Sequence, residues 1–394
     1  MHFAFTDEQA MIAETAKTFF AENATSERTR AAMADTGIDK ALWQAFTSEL
    51  GLAGVAIPEA LGGVGLGMVE LAIFAEEAGR HTAALPLLAS LGLAAPAILA
   101  GGTDEQKARF LPRIASGELM ASFAAVNMGG TPGATLSDGT LTGAALLVPH
   151  GASTDLFVVA ADNGVAIVER GALGLGITPL TSMDQTRPYA RLDFGGVAVE
   201  TLADPRAAVH AALTTGWLAI AADALGGAQA CLDRTVAYTQ ERIQFGRSIG
   251  SFQAVKHRLA DMMVAIEQAR SAVYWAACAI DERSDEAAFA VHAAKAFACD
   301  TYTHCAGEMI QLHGGIGFTW EHDAHLYFKR ARSNASLLGT PDWHREQVAG
   351  LAGLDDAARN LDSLPKKRCS ALRRPRGSRP NWKAPSPTCA GSPA

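Results

Sequence analysis

The chain has 394 residues, 49% of them apolar and 19% charged, enough apolar mass for a substantial core in two or three domains. A formal charge of −8 gives no general case for nucleic acid or an anionic membrane as partner. Six cysteines (Cys231, Cys278, Cys299, Cys305, Cys369, Cys389) form no CxxC pair and no metal spacing. Four lie in helix-like apolar segments, which predicts reduced core residues in a cytoplasmic protein.

No secretory pattern opens the chain, and the apolar run around Ala83–Ala100 is broken by Pro86, Gly92 and Pro96. A membrane span needs about 20 uninterrupted apolar residues. Residues 1–118 read as a helical domain. Thr6 with Gln9 three residues later is a capping-box pattern, and Phe19, Phe20, Leu42, Trp43 and Phe46 supply core side chains at helical spacing. The glycine-rich run 51–67 lacks a strand–GxGxxG–helix context and a Walker lysine, so it reads as an inter-helix loop.

Residues 119–205 change character. Short apolar runs (Ala121–Val126, Ala144–Val148, Leu156–Ala160, Val165–Val168, Ala190–Phe194) alternate with Gly, Pro, Asn and Asp, which predicts a small β-barrel or sandwich. Residues 206–357 return to helix, with Ala207–Arg242, Phe252–Ala279 and Glu286–Leu312 free of proline. Residues 358–394 form a basic terminus expected to be disordered, with eight Lys/Arg and no acid after Leu364.

The stretch Glu241–Met262, ERIQFGRSIGSFQAVKHRLADM, reads as a helix–turn–helix elbow, with Ser251 as N-cap of the second helix. Arg242, Arg247, Lys256 and Arg258 flank it. Guanidiniums beside a new helix start can hold a pyrophosphate, although basic residues beside a loop are more often a solvated face.

The order R-x-x-F-G-(R/K)-x-I-x-x-F-Q in that stretch, followed by QLHGGIGFTWEHDAHLYFKR at Gln311–Arg330, resembles the acyl-CoA dehydrogenase family. Within that family it is similar to a bacterial subgroup acting on bulky or steroid-side-chain CoA esters. The resemblance covers roughly residues 3–355. It implies an α+β fold with an N-terminal helical domain, a central β-barrel or sandwich and a C-terminal four-helix bundle.

The implied activity is FAD-dependent α,β-dehydrogenation of an acyl-CoA thioester, with electrons leaving through an electron-transfer flavoprotein. By the same resemblance Arg242, Phe245 and Gln253 contact FAD. Gln311, Gly314 and Gly315 bring backbone close to the dinucleotide, and Thr340 adds a flavin contact. These positions reach across a subunit interface in the family, which implies a homodimer or tetramer, or a heteromer with a second dehydrogenase-like subunit.

The chain departs from the family where the chemistry is done. In Phe123–Gly133, Val126 replaces a hydroxyl and Asn127 a Glu, and Leu147-Val148-Pro149 replaces a W-I-T strand. Dehydrogenation needs a carboxylate to take the α-proton. The family's E-G-T is here Leu338-Gly339-Thr340, and the alternative site on the long helix is Gly216, followed by Trp217.

The remaining candidate base is Asp223, inside LAIAADALGGA. If buried, its pKa would rise, with Gly226 and Gly227 leaving room for a ligand; a solvent-facing or locally bonded Asp is the equal alternative. Asp342 is the second choice, while His344 and Glu346 read as ordinary helix-end residues. Arg187 either structures the core or meets the CoA, and no histidine spacing predicts a metal. The empty base positions also fit a rival: a catalytically silent subunit that completes the FAD site of a heteromeric dehydrogenase. A flavin monooxygenase on the same fold is a third reading.

Overall fold

The computed structural model describes residues 5–125 and 133–354. The Val126 and Asn127 positions and the basic terminus 358–394 lie outside the described residues. Helices begin where the caps are. Thr6 accepts from Gln9 N and Gln9 returns a bond to Thr6 N, starting α1 (Asp7–Asn23) with the expected capping box. α2 (Ser26–Ala34), α3 (Lys40–Gln44), α4 (Met68–Arg80), α5 (Ala95–Gly101) and α6 (Asp104–Ala115) complete the first helical part, with π-helical turns at Ala45–Glu49 and Leu88–Ala94. Phe19, Phe20, Leu42, Trp43 and Phe46 are all buried, as their spacing predicts.

The middle of the chain forms two sheets. β1 (Ala121–Ala124), β2 (Ala134–Ser137), β3 (Thr140–Pro149), β4 (Leu156–Ala161), β5 (Gly164–Glu169), β6 (Leu175–Leu180), β7 (Tyr189–Ala198) and β8 (Glu200–Thr201) order as β1-β4-β5-β8 and β2-β3-β7-β6. β1 runs parallel to β4; the other pairs are antiparallel. Leu141, Val148, Phe157, Val159, Leu192 and Phe194 come from both sheets into one apolar cluster, a sandwich. Three strands carry no apolar run long enough to announce them: β2, β8 and β6, the last of which has no buried position.

The chain then returns to helix in α7 (Pro205–Glu241), α8 (Gln253–Asp281), α9 (Ala287–His313), α10 (Ala324–Ser336) and α11 (Pro341–Leu351). The strand pair β9 (Ile243–Gln244) and β10 (Arg247–Ser248) separates α7 from α8. Ser251 is not the cap expected of it: its hydroxyl donates to Ser248 O, closing a short 3-10 turn, and α8 starts after Phe252 with no side-chain cap.

α7 is the central helix. It is long and apolar enough to cross a membrane by composition, and two thirds of its most apolar window is buried inside the protein, the mark of a core helix. It meets α4 backbone to backbone: a Cβ on Gly226 would lie 1.8 Å from Glu76 O, and one on Gly79 would lie 2.1 Å from Asp223 O.

Candidate functional site

The residues of the Arg242–Gln253 signature lie at the surface. α7 ends at Glu241 with Arg242 as its C-cap, and Phe245 and Gly246 turn the chain between β9 and β10 with φ of +52° and +76°. Phe245 is 92% exposed, touched edge-on by Phe252 at 6.2 Å, and Arg247 stacks over Phe252 at 4.1 Å. Arg242 and Gln253 are exposed, and so is Gln311 on the last turn of α9.

Tyr238 ties the two signature stretches together. Its ring stacks on His313 at 4.3 Å and its hydroxyl donates to His313 O, just before Gly314 and Gly315. A Cβ on Gly246, Gly314 or Gly315 would meet nothing within 4 Å, so the backbone is open to an approaching molecule. Ile243, Ile316, Phe318 and Trp320 are exposed on the same two stretches. Exposed aromatic and basic groups over an open glycine backbone fit the pyrophosphate and adenosine of a dinucleotide.

Asp223 occupies a different setting. It lies on the buried face of α7, 5% exposed, and its carboxylate is fully engaged. Arg330 of α10 donates to it through Nε (3.2 Å) and Nη2 (2.5 Å), Asn334 donates through Nδ2 (2.6 Å), and Arg187 lies 3.2 Å away. Arg330 also donates to Thr186, whose hydroxyl donates to Asp184, and Arg187 donates to Asn334.

Burial pushes the Asp223 carboxyl up. The guanidiniums of Arg330 and Arg187, with the Arg330 and Asn334 hydrogen bonds, outweigh it and bring the group to about 2. The expected upward shift is therefore reversed. The room beneath Asp223 is also absent: Gly226 takes the α4 backbone, and a Cβ on Gly227 would sit 2.3 Å from the Tyr302 ring. The cavity beside Asp223, walled by Ala75, Ala78, Leu88 and Ala219, is about 10 Å³, the space of one water. Arg187 takes the core role of the two left open for it.

The two positions where the family keeps a base are apolar and packed. A Cβ on Gly216 would lie 2.4 Å from Leu93 Cδ2, and Leu338 lies beside it. Trp217 donates from Nε1 to Leu338 O at 2.7 Å and packs against His292, His344 and Trp343. His344 is not an ordinary helix-end residue: it is fully buried, its Nδ1 is 2.7 Å from His292 Nδ1, and burial takes the two rings down to about 3 and about 4. Thr340 caps α11, accepting from Trp343 N, and remains exposed. Asp342 is exposed and paired to Arg345 at 2.7 Å.

Reasoning from sequence passed over Arg330, Asn334 and Lys295. The available signal was a charged residue inside an apolar helix, as for Asp223: Lys295 stands in AVHAAKAFAC.

Residues 6–118 match the model of the acyl-CoA dehydrogenase N-terminal domain, and residues 206–351 match that of the C-terminal domain. The chain is 37% identical over 341 residues to acyl-CoA dehydrogenase IpdE2 of Mycobacterium tuberculosis, covering 85% of this chain and 94% of that protein. A variant of the Tcur3481-Tcur3483 steroid ACAD superposes with TM-score 0.82 at 32% identity, covering 89% of this chain and 99% of that one. The ChsE4-ChsE5 complex from Mycobacterium tuberculosis superposes with TM-score 0.81 at 28% identity, covering 93% of this chain and 100% of the matched chain. Two domain models, two signature stretches and a shared architecture over most of its length agree: the chain belongs to the acyl-CoA dehydrogenase family.

Proposed function

We propose that this chain serves FAD-dependent α,β-dehydrogenation of an acyl-CoA thioester by completing a flavin site shared with a second dehydrogenase-like subunit, which brings the catalytic base. The observation that carries this reading is the clamp on Asp223. A carboxylate held at about 2 by two buried guanidiniums, with space for one water beside it, is poorly suited to take a proton from a bulky thioester.

The bound flavin would accept the β-hydride once a carboxylate has removed the α-proton. This chain's part is to hold the cofactor. The Arg242 guanidinium would pair with the pyrophosphate, and Phe245 and Gln253 would flank the nucleotide. Gln311 and the Gly314–Gly315 backbone would approach it from α9, and Thr340 would offer its hydroxyl at the start of α11. Asp223 is the counter-charge that keeps Arg187 and Arg330 in place. Electrons pass on to an electron-transfer flavoprotein. The steroid ACAD among the structural relatives motivates a bulky, steroid-derived acyl group.

Co-expression tests the reading. The chain alone should purify with little FAD, and a companion subunit should restore yellow colour and acyl-CoA-dependent bleaching. Full FAD loading and bleaching by the chain alone, abolished by Asp223→Asn in a protein of unchanged stability, would return the base to Asp223.

A further inference from the structure

We propose that Lys295 is a positioning residue that fixes the Leu338–Thr340 loop through which, on the reading above, this chain meets the flavin. Lys295 is 0% exposed in the middle of α9, and its ammonium faces carbonyl oxygens: Asn334 O at 2.9 Å and Gly339 O at 3.3 Å. Among the described residues no carboxylate lies within 4 Å of it.

The compensating charge is the end of a helix. α10 stops at Ser336, so Asn334 O belongs to the last turn, whose carbonyls have no partner within the helix and carry the negative end of the helix dipole. Lys295 occupies that end and reaches the loop beyond it. There Leu338 and Gly339 take φ of +56° and +110°, a conformation that leucine adopts only when the surroundings impose it.

Those surroundings are two donors, one partly buried and one fully buried. Trp217 Nε1 holds Leu338 O, and Lys295 Nζ holds Gly339 O. Gly339 admits no side chain, since a Cβ would lie 2.7 Å from the Trp343 ring. The next residue, Thr340, starts α11. Asn334 gives Lys295 its carbonyl while its side chain bonds Asp223 and accepts from Arg187, so one residue joins the loop anchor to the buried ion cluster.

Hydrogen exchange on the Lys295→Met and Lys295→Gln variants tests this, both on the chain alone and on its FAD-loaded assembly with a companion subunit. Lys295→Met should speed exchange of amides 338–344 at least tenfold, leave α8 and the two sheets unchanged, and alter the visible flavin spectrum. Lys295→Gln, which keeps an N–H donor, should recover part of the protection.

Unchanged exchange in 338–344, or a uniform rise across the whole chain, would overturn the positioning role. A locally loosened loop with an unaltered flavin spectrum would sever its link to the cofactor. A wild-type assembly without flavin would refute the shared-site reading alone, because exchange in the chain by itself still reports the hold of Lys295.

Discussion

Replacing Asp223 separates a structural counter-charge from a catalytic base. The carboxylate binds Arg330, Asn334 and Arg187 at once, and all three partners are buried. Asp223→Ala removes the carboxylate paired with two guanidiniums inside the protein, and breaking a buried pair in this way costs about 3–5 kcal/mol. Asp223→Asn keeps the shape and one acceptor but removes the charge, and should cost about 2–3 kcal/mol.

The same cluster sets a pH dependence. Its carboxyl falls from the ordinary 3.8 to about 2 in the folded protein, which corresponds to roughly 2–3 kcal/mol of stability. Because the folded value is depressed, this contribution is complete above about pH 4. It is lost as pH falls toward 2 and should be missing from Asp223→Asn. Urea denaturation followed by circular dichroism between pH 7 and pH 2.5 measures both quantities. An Asp223→Asn protein within about 0.5 kcal/mol of wild type at pH 7, yet unable to reduce flavin with acyl-CoA, would refute the structural assignment.

Gly226→Ala should destabilise by about 3 kcal/mol in urea, because its Cβ would fall 1.8 Å from Glu76 O and force α4 from α7. Gly307→Ala, in α9 with nothing within 4 Å, should instead stabilise by about 0.5–1 kcal/mol. Arg242→Ala should leave the stability of the isolated chain within about 0.5 kcal/mol, since the residue is exposed, while cutting FAD retention by the assembly at least tenfold in a fluorescence titration. Buried His150 is held down to about 3 by desolvation and by Arg187 and Arg330. Its contribution is therefore present above about pH 6.5 and lost as pH falls. His150→Asn, which tolerates the φ of +52° there, should show a smaller loss of stability than wild type between pH 7 and pH 4.5.

The layout of this protein is written locally. Capping residues such as Thr6, proline-free apolar helices and short apolar strands depend on neighbours a few positions away, so helix, sheet and helix follow from the order of residues alone. The family signature is legible for a related reason: Arg242, Phe245, Gln253, Gly314 and Gly315 stand on two short stretches and remain exposed. Strands β2, β6 and β8 escaped notice because pairing, rather than their own apolar content, makes them strands.

The fate of Asp223 is a different kind of fact. Its charge state is set by Arg187, 36 residues before it, and by Arg330 and Asn334, more than 100 residues after it. No local pattern carries that information. Burial alone drives a carboxylate toward protonation, whereas two guanidiniums converging on it reverse the sign, and only the packing of α10 and the residues ahead of β7 against α7 brings them there. Glycines 226 and 227 tell the same story: they look like room for a ligand until α4 and Tyr302 fill the space.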